Sequence, residues 1–480
     1  MGGLGKRNAK SAVSHQIRPA QESSVERRGE IRARTREISW LLLYSVVLCS
    51  TLLMGSPTAQ AIPAFARKYS LPCSACHEAW PKLNEFGQVF RDNGYQLGND
   101  RDAPITQIPS YWPITFRITP QWHREYNQRV AVDNIPGDPA SGQTEQRVST
   151  SGFDISGVDI WAAGTLAKNI SFVVLPSSDE NGNFHFESAF VRFDNLAGSR
   201  WLNLKFGKFE LDTPVSEKRI LTLSNDGGFY QNYHFEPPGD TNITEMGDNQ
   251  LGVELLGHSA NSYTRYSVAV VSDSDGSPNL PTGRGYDVYS NVSHAFEVPH
   301  LGLQRFGVLN FTGESPTAYQ TSNGQPIPGT GSGNKPWYRV GAYALDYIGK
   351  FDLSTVYVHA SDSAYLGTGT AANQPLPAGA RAPAWNGGFV ESDYVYSPRL
   401  VLVTRYEAVR MSQQALPTSP HALGNIDAAT VGYRWYPIMN SRAGLAWHQE
   451  YSWMISRDSS PLTGRDAAGS SLFFGFDFAF

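Results

Sequence analysis

Two of the chain's 3 cysteines stand in the run Leu71-Pro72-Cys73-Ser74-Ala75-Cys76-His77. The spacing C-x-x-C-H is the pattern by which c-type haem is attached. Two thiols one helical turn apart reach the two vinyl groups of one porphyrin, and the histidine beside them gives its imidazole to iron. Three other readings compete. A thioredoxin-type pair needs βαβ surroundings, which the flanking sequence does not offer. A zinc site needs a second Cys/His pair at zinc-finger spacing, and none follows. A plain disulfide is the third. The expectation is one covalent haem c, with Cys73 and Cys76 as its thioether partners and His77 as the proximal iron ligand.

The residues around the motif are read as a small haem module spanning 62–110. Leu83, Phe86 and Phe90 recur at helical spacing and give one apolar face, and Asn93-Gly94 supplies a stop. The module is small for a self-sufficient fold. It holds no methionine and no histidine besides His77. A sixth iron ligand from a side chain must therefore come from the rest of the chain.

Residues 1–61 read as an export address. Residues 1–38 carry 9 Lys/Arg against 4 Glu, and the apolar run Trp40 to Met54 is 15 residues long, short for a membrane helix. Ala59-Gln60-Ala61 then gives a signal-peptidase site before Ile62. Removing this segment leaves 30 basic and 40 acidic residues, a net charge of −10. It also removes Cys49 and leaves Cys73 and Cys76 as the only cysteines.

Composition narrows the class of the remainder. Of the 480 residues 17% are charged and 12% aromatic, too aromatic for a disordered chain. An acidic balance excludes a nucleic-acid binder. The mean hydropathy of −0.34 excludes a bundle of membrane helices, but a transmembrane barrel hides its apolar half from such averages. From Tyr111 onward the pattern is period-2 alternation. Leu472, Phe474, Phe476, Phe478 and Phe480 share one face against Ser471, Gly475 and Asp477 on the other.

Sixteen such segments are centred near 119, 159, 172, 189, 205, 253, 268, 291, 308, 342, 356, 391, 404, 431, 447 and 475. Their connections alternate. Long ones are 128–152, 177–183, 210–247, 274–284, 316–335, 362–384, 412–424 and 456–469. Short ones lie near Lys168, Gly349, Pro398 and Asn440. Long loops outside and short periplasmic turns are the habit of outer-membrane barrels. The expected fold is mainly β: a 16-stranded antiparallel transmembrane barrel over 111–480, with the helical haem module at or inside it. Sixteen strands imply a porin-sized aqueous lumen. The 210–247 connection is long enough to fold inward and narrow it.

Within that barrel, strand parity points His123, His359 and His448 into the lumen. His234 lies in the 210–247 connection between Tyr233 and Phe235, and Met246 just before the sixth strand. His123, near the module in sequence, and His234, on a loop free to reach inward, are the leading candidates for the sixth ligand. A bis-histidine iron would have a lower potential than a His–Met one.

Around the motif stand Pro63-Ala64-Phe65-Ala66-Arg67, Pro81, Leu83, Phe86-Gly87, Phe90 and Gly94-Tyr95. Over residues 63–95 the chain resembles the outer-membrane monohaem cytochrome c–porin fusion family, which includes iron-oxidising bacterial cytochromes. The resemblance implies one haem c at or inside the barrel, passing electrons across the outer membrane. It implies a periplasmic electron carrier, such as a soluble cytochrome, on one side. On the other it implies an extracellular donor or acceptor, ferrous iron being one candidate. Lipid is the remaining partner. The negative mature chain suits a cationic donor. Two other functions compete: a porin whose haem is structural or regulatory, and a haem enzyme of peroxidase or reductase type.

Overall fold

A computed structural model of the chain describes residues 64–80, 82–107, 113–178, 182–214, 221, 249–272, 286–316, 319–320, 326–327, 334–361, 384–411, 426–439, 443–457 and 462–479. From Ala59 onward the chain forms one compact unit that holds both the N-terminal segment and the sheet. The expected signal peptide, His234, Met246 and Phe480 lie outside the described residues.

Sixteen strands make the sheet. They are β1 (Ile114–Ile135), β2 (Asp138–Ala167), β3 (Ile170–Ser178), β4 (Phe184–Phe193), β5 (Asn203–Glu210) and β6 (Asn249–His258). Then come β7 (Thr264–Ser272), β8 (Tyr286–Val298), β9 (Gly302–Pro316), β10 (Asn334–Ile348) and β11 (Phe351–Ser361). The last are β12 (Ala384–Ser397), β13 (Leu400–Met411), β14 (Ile426–Met439), β15 (Gly444–Ser456) and β16 (Ala467–Ala479). Each strand pairs antiparallel with its sequence neighbours, and β16 returns to β1 through Phe474 opposite Trp122. The barrel is closed and leaves no edge. Every one of the sixteen expected centres falls within a strand.

The two faces of this wall are inverted relative to a soluble protein. Val308 and Phe206 lie on the outer face, 59% and 62% exposed, while the neighbouring Arg305 and Lys205 on the inner face are buried. An apolar exterior on a closed sheet, with every ladder group paired, is what hydrocarbon requires. Among the described residues no helix is long and apolar enough to cross a membrane. The chain crosses by strands.

The structure departs from the sequence reading in two places. The 128–152 connection is largely strand: β1 has 22 residues and β2 has 30, against 8 to 15 elsewhere in the barrel. At about 3.3 Å per residue β1 runs roughly 70 Å, and a barrel strand needs only about 9–11 residues to span. The hairpin therefore stands well beyond the lipid, turning at Gly137 (φ 77).

The described inner residues are also packed more closely than the expected aqueous lumen implies. Trp337, Trp385 and Phe311 face inward and are at most 1% exposed, as are Glu391, Glu407 and Arg339. Open water would expose them. Part of the reason is visible. After β5 the chain turns into the lumen, where Tyr289 Oη and Asn291 Nδ2 donate to Asp212 O at 3.0 and 2.5 Å. Further on, Leu221 N donates to Glu391 Oε1 at 2.9 Å.

Gly137 turns the protruding hairpin, and Gly349 (φ 65) turns the short β10–β11 connection. Neither has an atom within 4 Å of where a side chain would start. A peptide tag inserted after Gly137 should bind antibody on intact cells, whereas one after Gly349 should bind only after the envelope is opened. The opposite pattern would reverse the topology.

Candidate functional site

Three short helices precede the barrel: α1 (Ala64–Tyr69), α2 (Cys73–Cys76) and α3 (Glu85–Asp92). Pro72 caps the single turn of α2, where its carbonyl accepts from Ala75 N at 2.9 Å. That turn sets Cys73 and Cys76 three residues apart on one side. Cys73 is buried and Cys76 half-buried. Burial pushes the Cys76 thiol up to about 11. His77 leaves the helix in extended conformation (φ −118) and pairs with Leu83.

Asn84 fixes this turn against α3. Its side-chain oxygen accepts from Gly87 N at 2.9 Å and so caps α3. Its amide donates to Ser74 O at 3.2 Å and Ala75 O at 3.1 Å. Its backbone N–H donates to Cys76 O at 3.0 Å. Glycine is required at 87, because a β-carbon there would stand 2.0 Å from Cys76 O. The helix differs from the expected apolar face. It begins after Asn84 and so excludes Leu83, and Phe86 is exposed. Phe90 alone of the three is buried, packed by Phe65, Tyr69 and Tyr95 with ring centroids 5.3 to 6.0 Å away. The expected stop at Asn93-Gly94 is present, with Gly94 at φ 69.

The barrel grips this segment from all around. Lys82 Nζ lies 2.7 Å from Asp352 Oδ2 on β11 and 2.6 Å from Asp393 Oδ2 on β12. Burial opposes the Lys82 charge, but Asp393, Asp352 and Glu78 together hold its ammonium well above the usual value. Arg192 on β4 donates to the α3 carbonyls of Arg91 and Asp92 at 2.7 and 2.5 Å. Asp92 pairs with Arg265 on β7, and Arg91 with Asp212. Trp80 O accepts from Arg434 and Tyr436 on β14 at 2.9 and 2.7 Å. Arg67 and Lys68 donate to Thr115 on β1 and Thr165 on β2. These partners sit near the short-turn ends of their strands. Residues 64–107 are therefore held inside the ring at that end.

Beside Cys73 the segment and the wall leave a cleft, partly open to solvent, with about 70 Å³ of enclosed space. Its lining includes Cys73, Trp80, Trp161, Tyr436, Met439 and Ala446. Arg117 stacks over Trp80 at 4.8 Å and is paired with Asp159 and Asp477 at 2.9 and 3.1 Å. Its lining is predominantly apolar and aromatic, the character of a wall for a flat hydrophobic group. Two cysteines on one turn, an adjacent imidazole and an apolar wall are the kinds of groups that hold a c-type haem. Cys76 and His77 lie next to the cavity in sequence but are not part of its lining. Among the described residues no cluster of three or more His, Cys, Asp or Glu side chains could hold a bare metal ion.

Of the expected distal residues within the described part of the chain, His123 stands away from this place, His359 faces outward and His448 is one inner position beyond Ala446. His123 Nε2 lies 3.1 Å from Ser471 Oγ and 3.1 Å from Glu125 Oε1. It is eight residues along β1 from Thr115, roughly 27 Å at the rise of a strand. His359 does not face the lumen: on β11 the buried inner residues are Asp352, Ser354, Val356, Val358 and Ala360, and His359 alternates with them. His448 is buried in the lumen against Phe473, with ring centroids 4.9 Å apart. Met439, which sequence reading passed over, lines the cavity itself.

No family model and no curated protein matches the sequence. Among solved structures the barrel is similar to OprB of Pseudomonas putida (11% identity, TM-score 0.47, covering 77% of this chain and 94% of that one). It is also similar to OmpT of Vibrio cholerae (12%, 0.44, 78% and 100%). A third is the outer-membrane channel DcaP of Acinetobacter baumannii (11%, 0.43, 76% and 97%). Likeness of this degree says nothing of cargo.

Removing Lys82 strands two buried carboxylates, a loss of about 3–5 kcal/mol for a buried pair broken from one side. Lys82→Ala should expose 64–107 to protease in the solubilised protein while the barrel stays resistant. Adding Asp352→Asn and Asp393→Asn should restore much of the protection. Equal protection in wild type and Lys82→Ala would show that the seat does not depend on this contact.

Proposed function

We propose that this protein is a bacterial outer-membrane electron-transfer protein carrying one covalent haem c. The reading is carried by one observation: the Cys73–His77 turn is held inside a closed membrane barrel, beside an apolar cavity. Cys73 and Cys76 would hold the group through thioethers, and His77 would bind its iron. The bound group supplies one reversible electron. The chain's own residues place it. Asn84 and Gly87 fix the α2 turn, the Lys82 seat fixes the segment in the ring, and the barrel wall insulates both from lipid. A periplasmic carrier such as a soluble cytochrome would meet the short-turn end. An extracellular partner, ferrous iron being the simplest cation that suits a net charge of −10 after export, would meet the other.

A second reading is solute passage, with the haem structural or regulatory. It is favoured by the sixteen-strand closed barrel itself, an architecture that serves as a channel when its lumen is open. The buried inner residues favour the first reading.

Purified protein should stain for haem after denaturing electrophoresis, and its oxidised form should be reduced by ferrous iron. Liposomes containing it should pass electrons to an enclosed cytochrome without swelling in sugar solutions. A Cys73→Ser, Cys76→Ser double variant should insert as a barrel, lose the stain and lose transfer. Undiminished staining in that variant would end the haem assignment, and rapid swelling with no electron transfer would select the channel.

A further inference from the structure

The haem reading leaves one coordination position unassigned, and the wall of the Cys73 cavity contains a residue suited to it. Of the residues that line this cavity, only Met439 carries a soft ligand atom besides Cys73, and none is a histidine. Met439 is 7% exposed and packs in one apolar cluster with Cys73, Tyr436 and Ala446.

Its inward direction is the product of a local irregularity. On β14, Arg434 and Tyr436 face the lumen and are buried, so strict alternation would send Ile438 inward and Met439 out to lipid. The pairing with β15 slips between Trp435 and Ile438 instead: Trp435 faces Trp447, but Ile438 faces Leu445 and Met439 faces Gly444. One extra residue has been let into β14. Beyond it Ile438 is 38% exposed, though it also borders the cavity, and Met439 is buried. Bulges re-aim side chains at barrel rims and beside functional sites. Here the bulge turns a thioether toward Cys73, and the opposite residue, Gly444, has no side chain to fill the space.

We propose that Met439 would supply the remaining protein ligand to the haem iron, beside His77 as the first; this rests on the haem reading above and deepens it. A thioether is polarizable and suits the softer, reduced iron. His–Met ligation raises the reduction potential relative to bis-histidine. That places the centre among acceptors able to take electrons from weak reductants, and it separates this site from the low-potential iron that His123 or His234 would create.

The test is optical and EPR spectroscopy with redox titration on full-length detergent-purified protein. The set is wild type, Met439→Leu, Met439→His and His448→Ala, with covalent haem counted in each. Wild type should be low-spin, with the long-wavelength charge-transfer band of methionine on ferric iron. Met439→Leu keeps the apolar packing. It should retain full haem content, lose the band, become high-spin and bind carbon monoxide when reduced. Met439→His should return to low spin at a lower midpoint potential. His448→Ala, altered at the next inner position beyond Ala446, should keep the wild-type spectrum. Haem present with an unchanged band in Met439→Leu, or a bis-nitrogen spectrum in wild type, overturns the ligand assignment alone. Wild type without covalent haem overturns the haem reading and this assignment with it.

Discussion

A buried ammonium has to be paired, and Lys82 finds its partners only inside the ring. Asp352 and Asp393 lie on adjacent strands at the short-turn end, and both bind the same Nζ at 2.6 to 2.7 Å. This one requirement places the N-terminal segment. With Lys82 seated, Trp80 is brought under Arg434 and Tyr436, α3 meets Arg192, and Cys73 faces the wall across the apolar cavity. The segment has too little apolar surface to fold alone. The barrel completes its core and satisfies its exposed carbonyls.

The interior is accordingly not uniform. Around the seat it is ionic, with each charge answered by an opposite one from the wall. Farther along, Trp337, Trp385, Phe311 and Val409 form an apolar layer that would suit the core of a soluble protein. The wall thus works as an inside-out sheet toward lipid and as an ordinary packing surface toward its contents. Such an interior holds the N-terminal segment by packing and by paired charge together.

How far the sequence could be read follows from the range of the forces involved. The sixteen strands were legible because alternation is a local signal and a barrel wall enforces it on both faces. The turn that sets Cys73 and Cys76 on one side was legible because its spacing is local. The seat was not, since Lys82 and its partners are 270 and 311 residues apart and nothing in the sequence links them. Parity was misassigned at His359, whose strand keeps strict alternation and register, and Met439 lies beyond a one-residue slip that alternation cannot foresee. The 128–152 connection was polar enough to pass for a loop, yet its residues pair across a hairpin that no core requires.

The ion pairs of this protein fall into two kinds with different responses to the medium. Lys82, Asp352 and Asp393 are 1 to 6% exposed, so dissolved ions scarcely reach them. Arg410 and Arg457, which pair with Asp427 at the opposite end of the strands, are each 46% exposed. A surface pair weakens as the screening length falls from about 30 Å in dilute water to about 8 Å in physiological salt. The protein therefore has a mouth tuned to salinity and a seat indifferent to it. An organism moving between fresh and brackish water would alter the outer approach to this barrel and leave the position of its N-terminal segment unchanged.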